Sequence, residues 1–377
     1  MASDGADGDN LGYDVGVHGN SVVAGAVRHG FAGAAYIFES DGGEWRQEAK
    51  LTPAGINSNA FFGMSVALHG DIAAGGAIGD NPNGLGSGSA VVFERQKDGS
   101  WLQVARLAPS DGDINDFFGG SVDVSDGTIV GGAHNHDDRG INAGAAFVFE
   151  RCGDGCWTQT AELLASDGMA GDNFGSDVAI DGDVIVVGAE RYDDERGAAY
   201  VFERSPVTGK WVEVAKLLAA DGAVDDMFGV TVDVHADVAV IGAERDDDHG
   251  SASGSAYVFR RDPDAGWVQD AKLTADDGQI DDLLGRAVTV YGGTAVVGAP
   301  GDDDNGVNAG SAYVYRLSPL ARRGDLDCDG AIGFSDLLEL LSEWGPVPDC
   351  PPSILADIDE DCDVDFDDLL MLLAGWT

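Results

Sequence analysis

Aspartates alternate in two stretches near the C-terminus: Asp325, Asp327, Asp329 and Asp336, then Asp357, Asp359, Asp361, Asp363, Asp365 and Asp368. In a twelve-residue loop, side-chain oxygens at positions 1, 3, 5 and 12 converge on one hard dication, and position 7 adds a backbone carbonyl whatever its side chain. That is calcium chemistry, and Ca2+ is the expected cofactor. The expected ligands are Asp325, Asp327, Asp329, Asp336, Asp357, Asp359, Asp361, Asp363 and Asp368. Gly330 stands at the sharp turn of the first loop, and Cys362 takes that place in the second. Aspartate rather than glutamate at position 12 marks both loops as variants.

Each loop leads into paired leucines. Leu337, Leu340, Leu341 and Trp344 fall on one helical face, and Leu369, Leu372, Leu373 and Trp376 repeat it. The pattern predicts two short helices packed leucine face to leucine face, since neither is long enough to stand alone. Cysteines suggest a second chemistry. Cys152 and Cys156 bracket a three-residue turn between two strand-like segments and are expected to form a disulfide. Cys350 is the expected partner of either Cys328 or Cys362, a choice the spacing leaves open.

Charge narrows the partners. The 67 acidic residues against 21 Lys and Arg leave a net charge of -46, which repels nucleic-acid phosphates and anionic lipid headgroups. No stretch reaches the roughly 18 apolar residues of a membrane span, and the opening residues lack the basic and apolar regions of an export signal.

The positioning elements emerge from an internal repeat. A Gly following an aromatic or Leu recurs at Gly12, Gly63, Gly119, Gly175, Gly229 and Gly285, and a Trp recurs in register at Trp45, Trp101, Trp157, Trp211 and Trp267. Each module carries four short strand signals with tight turns and no intervening helix. The expected fold is therefore all-β, a propeller of six four-stranded modules with the last one three-stranded. A seven-bladed spacing is the alternative. Modules start near 11, 62, 118, 174, 228 and 284. The propeller is expected over residues 1–317 and a linker over 318–323, with a small helical calcium-loop domain over 324–377. Gly-Ala at the end of each second strand implies close backbone approach, and Phe or Tyr in the third strand supplies bulk between blades.

On these residues the modules resemble FG-GAP repeats of bacterial, planctomycete-like type, the blade unit of integrin α-chain propellers, over residues 7–317. The segment from Gly324 to Thr377 is similar to a dockerin type I module. The resemblance implies a non-catalytic, calcium-dependent extracellular or cell-surface protein that docks to a cohesin-like partner and binds a protein or glycan ligand. Two departures stand out. The integrin-type calcium loop between the first two strands is replaced by short turns such as Asp181-Gly182-Asp183, and the dockerin recognition positions hold Phe334-Ser335 and Phe366-Asp367.

Carboxylate runs between the second and third strands, Asp193-Asp194, Asp246-Asp247-Asp248 and Asp302-Asp303-Asp304, read as solvated loop faces, with calcium binding there as the alternative and weaker forms at Asp137-Asp138 and Asp80. A second acidic series, including Asp116, Asp172, Asp226 and Asp282, reads as turn-forming. His134 and His136 share one acidic loop and offer only a weak metal contact. His18, His69 and His235 occupy one turn position in three modules. No nucleophile, zinc or phosphate-loop motif is present, so no enzyme activity is expected. The alternative to a binding role is a structural spacer or anchoring component of an extracellular assembly, and a third reading is an accessory subunit of a polysaccharide-associated enzyme. Five Trp strands serve six modules, from which a further Trp strand and an export signal are expected upstream of Met1.

Overall fold

The computed structural model describes residues 2–317 except 154, 264 and 305, together with 337–338, 340–341, 345–346, 363–364, 369 and 372. The chain divides into two compact units, Met1–Val314 and Tyr315–Thr377.

The first unit is an all-β propeller of six blades. Blade 1 comprises β1 (Leu11–His18), β2 (Ser21–Ala26), β3 (Ala34–Ser40) and β4 (Trp45–Leu51). Blade 2 comprises β5 (Val66–His69), β6 (Ile72–Ala77), β7 (Ser89–Arg95) and β8 (Trp101–Leu107). Blade 3 comprises β9 (Val122–Ser125), β10 (Thr128–Ala133), β11 (Ala145–Arg151) and β12 (Trp157–Leu163). Blade 4 comprises β13 (Phe174–Asp181), β14 (Val184–Ala189), β15 (Ala198–Arg204) and β16 (Trp211–Leu217). Blade 5 comprises β17 (Phe228–His235), β18 (Val238–Ala243), β19 (Ser255–Asp262) and β20 (Gly266–Leu273). Blade 6 has three strands, β21 (Ala287–Tyr291), β22 (Thr294–Ala299) and β23 (Ser311–Arg316). Strands within each blade pair antiparallel in chain order. Consequently the linker entering a blade and its second-to-third-strand loop share one face of the propeller, and the two tight hairpins lie on the other.

The core lies between blades. Phe174, Val178, Ile180 and Tyr200 of blade 4 pack against Val130, Ala146 and Val148 of blade 3, all buried, and the third-strand aromatics Phe93, Phe149, Phe202 and Phe259 are buried in equivalent layers. The glycine of each second strand allows this contact. A Cβ on Gly188 would sit 2.0 Å from the carbonyl oxygen of Gly229 in the next blade, closer than any side chain can come. The repeated Phe-Gly enters the same junction: Gly144 bridges in parallel to Phe174, and Gly197 to Phe228.

Innermost strands are sheet edges whose free N–H groups need partners. Side chains of the preceding blade supply them. Asp14 accepts from the Val66 N–H at 2.6 Å, Ser65 from Val122 at 2.8 Å, Ser121 from Val178 at 3.1 Å and Asp177 from Val232 at 2.8 Å. One rung further along, Asp123 accepts from Ile180 and Asp233 from Val290. On the third strands, Arg95–Glu39, Arg151–Glu94, Arg204–Glu150 and Arg261–Glu203 pair adjacent blades.

Blades 1 and 6 do not bury one another. Val17 is 67% exposed, whereas its equivalent Val234 in blade 5 is 5% exposed. Val314 and Tyr291 of blade 6 are exposed likewise.

The expectation of a small helical domain after the propeller is corrected here. Among the described residues of the second unit, the named elements are β24 (Gly345–Pro346) and β25 (Asp363–Val364), which pair antiparallel. Among those residues, helical backbone is assigned at 337–338, 340–341, 369 and 372, and no helical element is formed. Pro346, with no N–H to donate and a fixed φ, suits a strand edge better than a helix.

Candidate functional site

The clusters that carry charge are built alike in each blade, where the incoming linker, the second-to-third-strand loop and the fourth strand meet. The linker turn closes on itself. Asp116 accepts from the Asp113 N–H, Asp172 from Met169, Asp226 from Ala223 and Asp282 from Gln279, all at 2.6–2.7 Å, as expected of turn-forming aspartates. The loop runs depart from expectation at their first residue: Asp80, Asp246 and Asp302 are buried, whereas Asp247, Asp248, Asp303 and Asp304 are exposed.

A fourth-strand cation explains how Asp80 and Asp246 can be buried, while Asp302 accepts from the Tyr313 hydroxyl and the Asp304 N–H. In blade 5, Lys272 Nζ lies 2.8 Å from Asp221, 2.8 Å from Asp246 and 2.6 Å from Asp248, and the Tyr257 hydroxyl donates to Asp221 and Asp246. Burial opposes the charge on Lys272, but the hydrogen bonds it donates to the three aspartates prevail and raise its pKa. Blade 4 places Lys216 2.7 Å from Asp167, blade 1 places Lys50 2.6 Å from Asp4, and blade 2 places Arg106 2.7 Å from the buried Asp80.

Blade 3 breaks this rule. Glu162 occupies the position of Lys50, Arg106, Lys216 and Lys272, and Phe147 that of Tyr257. Asp111, His136, Asp138 and Glu162 bring their ligand atoms within 4.8 Å of one another. His136 is 3% exposed. Its Nδ1–H donates to Asp116 Oδ2 at 3.0 Å, while its Nε2 faces Asp138 at 3.4 Å and Glu162 at 3.7 Å. Burial raises the pKa of Glu162, and Asp111 and Asp138 push the same way. Burial opposes a charge on His136, but Asp116 overcomes it and raises the pKa. Among the described residues, two groups can hold a divalent ion, this one and Asp221, Asp246 and Asp248, and Lys272 already fills the second.

Cys152 and Cys156 form the expected disulfide, with Cα atoms 5.3 Å apart, across the hairpin joining β11 to β12. Asp325, Asp327, Asp329, Asp336, Asp357, Asp359, Asp361 and Asp368 lie outside the described residues. Asp363 begins β25. The turn histidines are not isolated: His18 stacks on His69 with ring centroids 4.3 Å apart, and His235 on Tyr291 at 4.5 Å. Sequence reasoning missed the Asp111–Glu162 meeting. The available signal was one acidic residue in a column of four basic ones.

These features define a β-propeller of repeated blades whose polar clusters tie each blade together. The chain belongs to the FG-GAP repeat family, whose model matches residues 1–38, 45–93, 101–149, 157–202, 211–259 and 267–315. Members of that family are characteristically non-catalytic propellers of the protein-interaction type, and this chain is one. Each match after the first begins on a Trp strand, so the family unit straddles two blades. No curated protein matches the chain. Among the described residues, no helix is long and apolar enough to cross a membrane.

Proposed function

We propose that this chain is an extracellular adhesion or binding protein whose propeller engages a protein partner through the face that carries the linkers and the second-to-third-strand loops. The observation behind this reading is a set of aliphatic and aromatic side chains held in water on that face. Phe31 and Val307 are 88% and 90% exposed, and Leu85, Ile114, Ile141 and Ile280 accompany them. A rigid spacer has no use for such residues amid acidic loops, whereas interface centres are rich in them. The Cys152–Cys156 disulfide supports an oxidising, secreted or cell-surface setting.

In this reading the two aspartate series at 325–336 and 357–368 bind Ca2+ and make attachment through the C-terminal segment calcium-dependent, with a cohesin-like module as docking partner. The test is cross-linking of the full chain to surface proteins of its native cells. A partner retained by the wild type and by Val207→Asp on the opposite face, but lost with Leu85→Asp plus Ile141→Asp, supports the reading. Equal capture by all three proteins sinks it. For the calcium arm, titration calorimetry should show Ca2+ binding that Asp325→Ala and Asp357→Ala each reduce.

A further inference from the structure

We propose that blade 3 holds one divalent transition-metal ion of the Zn2+ class, ligated by His136 Nε2 and by carboxylate oxygens of Asp111, Asp138 and Glu162.

Repetition within the chain supplies the reason. In blade 5 the three places equivalent to Asp111, His136 and Asp138 hold Asp221, Asp246 and Asp248, and the fourth-strand ammonium of Lys272 sits among them at 2.6–2.8 Å. Every other described fourth strand also supplies a cation there, from Lys50, Arg106 or Lys216. Blade 3 keeps the linker and loop carboxylates as Asp111 and Asp138, sets His136 where Asp246 stands, and replaces the fourth-strand cation with a further carboxylate. An ion from solution restores the missing positive charge, and the exchanged side chain becomes its ligand.

Two buried atoms point to the same place independently. His136 Nε2 and Glu162 Oε1 are inaccessible and have no hydrogen-bond partner. Such orphaned groups are rare and call for an explanation. Asp116 holds the Nδ1 proton, and Nε2, facing Asp138 and Glu162, becomes the ligating atom when a metal displaces its proton. This is the carboxylate–histidine arrangement that orients metal-ligating rings.

The distances suit a single ion. Ligands about 2.0–2.1 Å from a tetrahedral zinc are separated by roughly 3.3–3.4 Å, and the observed Nε2 separations are 3.4 and 3.7 Å. The donor set selects the class. Calcium and magnesium take oxygen ligands, whereas an imidazole nitrogen beside carboxylates suits zinc and its first-row neighbours. The ion would join the linker at Asp111 to the outer strand at Glu162, as Lys272 does in blade 5.

The experiment uses the full chain, stripped with chelator and with free thiols alkylated so that sulfur takes up no zinc. Zn2+ is added, excess is removed, and bound metal and thermal midpoint are measured. The wild type should retain one more Zn2+ per chain than Glu162→Lys and should gain thermal stability with added Zn2+. Glu162→Lys, which installs the cation of the sibling blades, should fold without metal and lose that response. His136→Gln should lose the same equivalent, and Asp116→Asn should weaken binding by about 10–100-fold. The aspartates of 325–368 are present in every protein and cancel in the comparison. Equal zinc retention by wild type, Glu162→Lys and His136→Gln would overturn the proposal, as would protection by Ca2+ or Mg2+ but not by Zn2+.

Discussion

The carboxylate of Asp177 accepts the backbone N–H of Val232 at 2.8 Å, so a side chain of blade 4 closes the inner edge of blade 5. Asp123 does the same for Ile180 at 2.8 Å. Burial pushes the pKa of Asp123 up to about 8 and that of Asp177 up to about 7, against the partial relief of the N–H bonds they accept.

These shifts set a pH dependence. An acid with its folded pKa raised above the unfolded value of 3.8 stabilises fully below that value and loses the contribution as pH climbs through the folded pKa. Stability from these two groups should therefore fall between about pH 4 and pH 8. Urea melts of wild type and Asp123→Asn plus Asp177→Asn across that range should show a shallower decline in the variant, because an amide oxygen still accepts the N–H and carries no proton to lose. Parallel curves would contradict the assignment.

Gly188 and Gly298 occupy the same place in blades 4 and 6. A Cβ on Gly188 meets the Gly229 oxygen at 2.0 Å, while one on Gly298 meets nothing closer than Ala287 at 3.5 Å. Gly188→Ala should cost about 3 kcal/mol or more, in the range of severe overpacking. Gly298→Ala should be neutral or stabilise by about 0.5 kcal/mol through the unfolded chain. Denaturant midpoints of the two variants give the comparison directly.

Val234 and Val17 are likewise equivalent, the first buried between blades and the second exposed. Val234→Ala should destabilise by about 1–3 kcal/mol, and Val17→Ala by less than about 0.5 kcal/mol. Similar losses at both positions would mean that the face of blade 1 is covered in solution.

Removing the disulfide should have a modest effect. Cys152 and Cys156 are separated by four positions, and a loop this short contributes about 2 kcal/mol by chain entropy. The double serine variant should stay folded, with a thermal midpoint a few degrees lower and no response to reductant at this hairpin.

The repeat made most of the propeller legible. Strand order, blade number, the missing fourth strand of blade 6 and the Gly-Ala contact all follow from patterns that recur about every 55 residues, and each copy corroborates the others. The Cys152–Cys156 pair was equally readable, because its ends flank one turn. Leucine spacing, by contrast, predicted a helical domain after the propeller that the described residues do not show, since periodicity carries no information about whether so short a helix finds a surface to support it.

The sequence by itself determined what is local: which segments are strands, where turns close, and which residues each blade repeats. Tertiary structure alone decided which of those residues meet. Asp14, Asp123, Asp177 and Asp233 read as polar residues on a strand, and only the adjacent blade shows that they satisfy its backbone. Two strands separate Asp111 from His136 along the chain, and a third separates His136 from the strand of Glu162. Their approach exists only because antiparallel strand order returns the linker, the loop and the outer strand to one face, where like charges share a small, partly dry space and the replacement of one lysine by glutamate changes what that space can hold.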